Sequence, residues 1–280
     1  MNIKIGFIGA GNMAEAMIKG LISSNIFEAQ NILISDILTE RLDFLSKSYG
    51  VSICKDNLSL FKNCGIIILA VKPQVISTIL SEFPNELKNL NEKKIIISIA
   101  AGITIQKIEN IIYSSLAENS KKLFPIVRVM PNTPALVLCG MSAVSFNQYC
   151  SDNEKKISHR ILKSMGNVIE IQEEYLDAVT AISGSGPAYV FYFTEAMIES
   201  ASILGLNPDD AWTLILTTLK GAAALMEKQN ESPESLRNKV TSKGGTTEAA
   251  IKVLNENRVK ETFIKAIESA AKRSKELSSL

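Results

Sequence analysis

Two glycine-containing segments of the sequence have the residue types and spacing to bind anionic groups. The first is Gly9-x-Gly11-x-x-Ala14, which follows an apolar run and precedes a segment of helix-forming composition. In this context Gly9 permits a tight turn, Gly11 leaves room for a pyrophosphate, and Ala14 allows close helix–strand packing. The helix start offers unpaired N–H groups and the positive end of its dipole to phosphates. The segment predicts a dinucleotide site, and an ordinary strand–helix turn is the alternative.

The second segment is Gly244-Gly245-Thr246-Thr247, which precedes a predicted helix over 248–254. A glycine loop followed by a helix start presents N–H groups to a carboxylate. Thr247, and also Thr246, can donate a hydroxyl hydrogen bond to that carboxylate or to a nearby nitrogen. Helix capping is the other role open to these threonines.

An acidic residue follows the second predicted strand, over 31–35. Asp36 lies roughly 20 residues past the glycine turn, where a carboxylate can bind the adenosine ribose hydroxyls. Such a carboxylate favours NADH because it repels a 2′-phosphate, whereas Arg41 and Ser35 could still accommodate the phosphate. Asp36 fits equally well as a helix cap or turn residue, so both roles stay open here.

The elements that must position these residues follow an alternating pattern. Apolar runs predict strands, and helical patterns separate most of them, which is typical of an α/β fold with a doubly wound, Rossmann-type parallel sheet. The predicted strands are 3–8, 31–35, 51–54, 66–71, 95–99, 126–130, 143–146 and 167–171. Ligands of such sheets bind outside the carboxyl ends of the strands. The loops that start at Lys72, Ala100 and Pro131 lie there.

From Tyr175 onward the pattern is helical only, which predicts a dinucleotide-binding domain over 1–173 and an all-α dimerisation and substrate domain over 174–280. The predicted helices 188–204 and 211–226 are apolar on nearly every face. We expect them to pack against a second copy of the chain, and burial against the first domain is the alternative.

Composition narrows the class of protein. The chain has 280 residues, a net charge of +1 and 46% hydrophobic residues, so we expect no nucleic-acid or membrane partner. Cys54, Cys64, Cys139 and Cys150 form no C-x-x-C pair and no metal-ligand spacing with His159, the only histidine. We therefore expect no metal, reduced thiols and a cytoplasmic location. His159 falls in a polar helix and is predicted to be solvated, so the chain offers no histidine general acid.

Five motifs occur in order along the chain: Gly9-x-Gly11-x-x-Ala14, Ala70-Val71-Lys72-Pro73, Met130-Pro131-Asn132-Thr133-Pro134, Ser183-Gly184-Ser185-Gly186-Pro187-Ala188 and Gly244-Gly245-Thr246-Thr247. Together they closely resemble the pyrroline-5-carboxylate reductase family, from Ile5 to about Leu277. The resemblance implies reduction of the C=N bond of 1-pyrroline-5-carboxylate to L-proline by NADPH or NADH, the last step of proline biosynthesis. It also implies a homodimer, and in many members a ring of dimers.

The resemblance further assigns site residues. The pyrophosphate would be held by Gly9, Ala10, Gly11, Asn12 and Met13, and the nicotinamide side lined by Ala70, Val71, Lys72 and Pro73. Ala100, Ala101 and Gly102 would border the nicotinamide pocket, and Asn57 would lie near the adenosine half. Ser35, Asp36 and Asn132 complete the expected coenzyme set. The substrate carboxylate would be held by Gly244, Gly245, Thr246 and Thr247, with Thr247 as the catalytic residue.

Two departures and two rival functions bear on this assignment. The second predicted strand ends in Asp36-Ile37, where the resemblance implies a basic residue that receives the 2′-phosphate, so the coenzyme preference stays open. Lys243 stands where the family usually has proline, which predicts a less rigid and more basic substrate loop. A β-hydroxyacid dehydrogenase needs a base, usually a lysine on the first long helix after a glycine-rich segment, and residues 187–204 contain no lysine. A nucleotide-sensing protein without turnover would not need the carboxylate-binding loop at 244–247.

Overall fold

A computed structural model describes residues 3–88 and 90–278. The chain divides into two compact units. Unit 1 comprises the described residues up to Ser185 and those from Ala270 onward, and unit 2 comprises Gly186–Ser269. The boundary between the two compact units falls after residue 173, because Leu176 and Ala181 are buried within unit 1. The functional domain boundary near residue 173 stays a prediction.

Unit 1 is built on an eight-stranded sheet in the order β3-β2-β1-β4-β5-β6-β7-β8. Its strands are β1 (Ile5–Ile8), β2 (Ile32–Ser35), β3 (Ser52–Ile53), β4 (Ile66–Leu69), β5 (Ile95–Ser98), β6 (Ile126–Met130), β7 (Gly140–Phe146) and β8 (Gly166–Glu170). The doubly wound arrangement is confirmed, with its switch point between β1 and β4, which pair in parallel from Ile5↔Ile66 to Ile8↔Leu69.

The sheet differs from the expected all-parallel one at a single place, because β7 runs antiparallel to β6. The connection between these two strands is residues 131–139, with a short 3-10 turn inside it. A parallel crossover needs a dozen or more residues, so this connection can only return the chain antiparallel. Pairing of β8 with β7 is parallel again.

Helices cover both faces of the sheet in unit 1. They are α1 (Asn12–Ser23), α2 (Thr39–Tyr49), α3 (Asn57–Asn63), α4 (Ile76–Leu80), α5 (Pro84–Leu87), α6 (Ile105–Ile112), α7 (Glu118–Lys121), α8 (Asp152–Lys163) and α9 (Leu176–Val179). Alternate residues of one strand enter different cores: Ile66 and Ile68 pack in one, Ile67 and Leu69 in the other. A strand buried on both faces reads as a continuous apolar run, as β4 does.

The sequence predicts a helix over 176–182 that the glycines from Gly184 onward interrupt, and the structure interrupts it earlier. Regular helix ends at Val179, and Thr180–Gly184 forms a π-helical turn in which the Ser185 N–H donates to the Thr180 carbonyl at 2.8 Å. Short π segments are frequent at functional sites. This one carries part of the Ser183–Ala188 motif.

Unit 2 is helical. It contains α10 (Gly186–Ile203), α11 (Pro208–Lys228), α12 (Pro233–Lys239), α13 (Thr246–Glu256) and the first part of α14 (Val259–Ser278), whose end belongs to unit 1. A cap residue followed by proline, Asn207-Pro208, predicts the start of a helix, and the start of α11 confirms it: the Asn207 side chain accepts a hydrogen bond from the Asp209 N–H, and Pro208 is the first helical residue. None of the helices in the described residues combines the length and the apolar character that a membrane span requires.

Candidate active site

Contacts within the protein require a glycine at the first position of the turn after β1. Gly9 has φ +98°, and a Cβ added there would lie 2.5 Å from the Ala70 carbonyl oxygen. Its N–H donates to the Ser35 carbonyl at 2.8 Å. Gly9 is therefore fixed by its backbone conformation and by the close approach of the chain after β4.

The second glycine is different, because nothing in the described chain requires it. Gly11 is the N-cap of α1 with φ −72°, and a Cβ added there would meet no described atom within 4 Å. No described side chain caps the helix start, so its first N–H groups remain available. The open space and these donors fit a pyrophosphate, which is the group a dinucleotide coenzyme would place there. Asn12 is exposed and Met13 half-buried at this helix start.

Asp36 closes the turn from the side of β2. Its carboxylate accepts the Ala10 N–H at 2.6 Å and the Leu38 N–H at 2.9 Å. Asp36 therefore acts as a turn residue in the structure, and the Ala10 N–H is directed at its carboxylate. Each carboxylate oxygen keeps a second lone pair, so a ribose hydroxyl can still bind there. Beside it, the buried Ser35 hydroxyl donates to the Asn57 side chain at 2.9 Å. This bond brings Asn57 to the carboxyl edge of the sheet, where the glycine turn lies.

Arg41, considered as a phosphate ligand, is held by protein groups. Its Nε donates to the Ala10 carbonyl at 2.7 Å, and its Nη2 donates to the Glu15 carboxylate. The Tyr49 hydroxyl donates to the other oxygen of Glu15 at 2.9 Å. Glu15 and Tyr49 were not identified from the sequence, where nothing distinguishes them from other polar residues on helices.

The motif after β4 lies directly against the glycine turn. The Ala70 N–H donates to the Ile8 carbonyl at 2.8 Å, and the Val71 side chain would be 2.8 Å from a Cβ on Gly9. Lys72 then precedes a 3-10 turn that Pro73 begins. Two motifs that are far apart in the sequence therefore meet at the switch point of the sheet, where ligands of doubly wound folds bind.

The loops after β5 and β6 continue the same edge. Ala100 is buried, Ala101 is half-buried, and Gly102 has φ +74° beside the end of α14. Asn132 is held by the chain: its Oδ1 accepts the Met141 N–H at 2.8 Å, and its Nδ2 donates to the carbonyl and hydroxyl of Ser183, each at 3.3 Å. Asn132 thus ties two of the five motifs together. Its contact with a coenzyme stays a prediction.

The loop at 244–247 lies in unit 2 and differs in detail from expectation. Gly244 has φ +73°, and its N–H donates to the Glu248 carboxylate at 2.7 Å. The N-cap is Gly245, so α13 begins at Thr246, two residues earlier than predicted, and the threonines are not capping residues. Within the described residues neither threonine hydroxyl has a hydrogen-bond partner. The Gly244 N–H is therefore occupied, while Thr246 and Thr247 remain available to a carboxylate.

His159 and one large cavity lie apart from the predicted site residues. His159 is half-buried, with its ring 5.7 Å from that of Phe146 and its Nε2 3.6 Å from the Glu170 carboxylate, so it keeps contact with solvent but is more buried than expected. A cavity of about 690 Å³ lies near the carboxyl ends of β7 and β8, and none of the predicted site residues lines it.

The cysteines are free, and their exposure differs. Cys64 is buried, Cys54 and Cys150 are half-buried, and Cys139 is exposed. Burial raises the pKa of the Cys64 and Cys150 thiols to about 12, so neither is a thiolate nucleophile near neutral pH. Among the described residues, no group of three His, Cys, Asp or Glu side chains could hold a metal ion.

Comparison with known proteins gives the family. Residues 173–277 match the family model for pyrroline-5-carboxylate reductase dimerisation, and residues 4–102 match that described as NADP oxidoreductase, coenzyme F420-dependent. The chain is 39% identical to pyrroline-5-carboxylate reductase 2 of Bacillus subtilis over 275 residues, which cover 98% of this chain and 95% of the relative. The chain belongs to the pyrroline-5-carboxylate reductase family.

Solved structures of family members have the same fold. The pyrroline-5-carboxylate reductase of Coxiella burnetii is 37% identical and matches with a TM-score of 0.85, covering 99% of each chain. That of Plasmodium falciparum, solved with NADP bound, is 32% identical with a TM-score of 0.85, covering 99% of this chain and 98% of the other. The family was thus correctly identified from the five motifs.

Proposed function

We propose that this chain reduces the C=N bond of 1-pyrroline-5-carboxylate to L-proline with NADPH or NADH, the final step of proline biosynthesis. One observation carries the proposal: the likeness to reductases of this name extends over 98% of the chain, through both the glycine turn after β1 and the loop at 244–247.

The coenzyme belongs at the carboxyl edge of the sheet in unit 1. When bound, reduced nicotinamide supplies the hydride that converts the imine carbon into a saturated one. The chain contributes the open space at Gly11 and the uncapped N–H groups of α1 for the pyrophosphate. Asp36 and Asn57 serve the adenosine half, and the segments 70–73 and 100–102 border the nicotinamide.

The substrate carboxylate belongs at the start of α13. The N–H groups of Thr246 and Thr247 point out of an uncapped helix N-terminus, and both hydroxyls are free within the described chain. Thr247 is the residue we assign to catalysis, through a hydrogen bond that orients the imine. Positioning of this kind is the main contribution that a protein makes when the cofactor carries the chemistry.

No protein acid is required for the nitrogen. A cyclic imine is basic enough to take its proton from water, so the absence of histidine from the predicted site residues does not obstruct the reaction. The rival dehydrogenase chemistry needs a base, and α10 contains no lysine to provide one.

The chain carries a dimerisation domain, and we propose that it forms a homodimer, with further assembly into a ring of dimers as a finer possibility to test. In the single chain, Phe191, Tyr192 and Trp212 are 61%, 71% and 55% exposed. An open apolar groove of about 400 Å³ lies between α10 and α11. Exposed aromatic surface of this extent is typical of a protein interface. The free thiols support a reducing compartment, and we place the protein in the cytoplasm.

The test is an assay of the purified chain with the imine and each coenzyme. We expect oxidation of NADPH or NADH that depends on the imine, with one proline formed per coenzyme consumed. A matched control uses 1-pyrroline, which lacks the carboxylate and should react far more slowly because α13 has no anion to hold. Binding of coenzyme without consumption in the presence of the imine would favour the nucleotide sensor.

A further inference from the structure

An ion pair with largely buried side chains joins α1 and α2 beside the glycine turn. The Arg41 guanidinium binds the Glu15 carboxylate and the Ala10 carbonyl, and it stacks 4.9 Å from the centre of the Phe44 ring. The side chains of Arg41 and Glu15 are only 24% and 22% exposed. The guanidinium is thus held in one place by three groups of the chain.

Glu15 is equipped to remain ionised in this position. Burial by itself raises the pKa of its carboxyl, but the hydrogen bonds from Arg41 and Tyr49 and the charges of Arg41 and Lys19 outweigh it, so the pKa lies below its ordinary value. The negative charge of Glu15 therefore neutralises the positive charge of Arg41 at this position. A guanidinium near the end of β2 is the group that would otherwise receive a 2′-phosphate.

The segment after β2 adds negative charge. Residues 36–40 are Asp-Ile-Leu-Thr-Glu and contain no cation. Asp36 is fixed by the N–H groups of Ala10 and Leu38, which leaves lone pairs on its oxygens for hydroxyl donors. A fixed carboxylate beside a neutralised arginine suits a ribose with free hydroxyls and repels one with a phosphate.

We propose that Glu15 sets coenzyme choice: by holding Arg41 it withholds the guanidinium from a 2′-phosphate, so this chain binds NADH in preference to NADPH. The inference rests on the proposed binding of a nicotinamide coenzyme at the glycine turn. Glu15 acts as a positioning residue, since its effect passes through Arg41.

The test measures binding without turnover. Dissociation constants are determined for NADH and NADPH by fluorescence titration, and for ADP and its 2′-phosphorylated form by calorimetry, all without imine. The wild-type chain should bind the ligands that lack the 2′-phosphate about tenfold more tightly. Glu15→Ala should improve binding of both phosphorylated ligands about 3- to 10-fold with little change for the others, because Arg41 is released.

Two comparisons make the assignment specific. Arg41→Ala added to Glu15→Ala should cancel the gain, whereas Lys55→Ala, which removes an exposed cation just after β3, should not. Glu28→Ala, which removes an exposed acid before β2, should leave selectivity unchanged. If Glu15→Ala does not fold, Glu15→Gln keeps a side chain of the same shape, removes the charge, and should move selectivity in the same direction.

A wild-type preference for NADPH would overturn the proposal, as would a gain that survives Arg41→Ala or is lost with Lys55→Ala. Tight binding of both coenzymes with equal affinity would also overturn it while leaving the proposed function intact. Failure of all four ligands to bind would count against the proposed function as well.

Discussion

The Glu248 carboxylate accepts a hydrogen bond from the backbone N–H of Gly244, with 2.7 Å between Oε2 and N. Gly244 has φ +73°, and it follows Lys243, at the position where the family resemblance leads us to expect a proline. A proline would restrict the loop through its ring. In this chain Glu248, in the first turn of α13, holds the loop through a hydrogen bond instead.

Glu248→Ala should therefore loosen the loop and raise KM for the imine about 2- to 5-fold, since an exposed hydrogen bond contributes modestly. Coenzyme affinity should not change. Glu248→Gln keeps an acceptor for the Gly244 N–H and should keep KM near the wild-type value. Steady-state kinetics of the two variants decide the point, and equal KM for alanine and wild type would contradict it.

Thr247→Ala should lower kcat/KM for the imine about 10- to 100-fold, the effect of removing one hydrogen bond to a charged or reacting group. Thr247→Ser keeps the hydroxyl and should recover most of the activity. Coenzyme dissociation constants, measured without imine, should match those of the wild type. A parallel loss of coenzyme affinity would show that Thr247 is not a substrate residue.

The two glycines of the turn should respond oppositely to the same substitution. Gly9→Ala should cost about 2 kcal/mol or more of folding stability, because its Cβ meets the Ala70 carbonyl at 2.5 Å and its φ is +98°. Gly11→Ala has free space and should cost less than about 1 kcal/mol, yet should weaken coenzyme binding at least about tenfold. Urea unfolding and coenzyme titration test both. Unchanged coenzyme affinity in Gly11→Ala would disprove the pyrophosphate role.

Several element boundaries could be predicted because their determinants are local. The cap at Asn207 and the end of α2 at Gly50 each depend on sterics or hydrogen bonds within a few residues. The apolar runs identify the strands by the same local logic. The five motifs then gave the family.

What could not be predicted depends on contacts between distant residues. Asp36 fits a ribose ligand and a turn residue equally well until the Ala10 N–H is seen 2.6 Å from its carboxylate. Arg41 looks free until the fold places Glu15 against it. The sequence likewise contains no signal for the contact between Asn132 and Ser183, which requires β6 and the π-helical turn to meet.

Stability should fall at alkaline pH, and Cys64 should contribute to the fall. The buried thiol keeps its proton up to a pKa of about 12 in the folded chain, whereas its ordinary value is 9.0. Between these values the folded state binds more protons than the unfolded state, so rising pH favours unfolding by about 1.4 kcal/mol per pH unit. Urea unfolding across this window should show a shallower pH slope for Cys64→Ala. Cys139→Ala, which changes an exposed thiol, should leave the slope unaltered.

Leu214→Glu should disrupt assembly. Leu214 is 55% exposed in the single chain and lines the apolar groove between α10 and α11. A carboxylate buried there would be unpaired, so self-association should weaken about tenfold or more. Analytical ultracentrifugation over a concentration series measures this, with Lys228→Gln at the exposed end of α11 as the control. A Leu214→Glu chain with wild-type association would place the interface elsewhere.

This chain passes a hydride from reduced nicotinamide to the carbon of an imine that carries a carboxylate. The most direct measurement supplies coenzyme deuterated at the transferable position together with 1-pyrroline-5-carboxylate, and examines the proline by mass spectrometry and NMR. We predict one deuterium per proline, on the ring carbon that was doubly bonded to nitrogen. Proline without deuterium, or no proline while the coenzyme remains bound and reduced, would contradict the account.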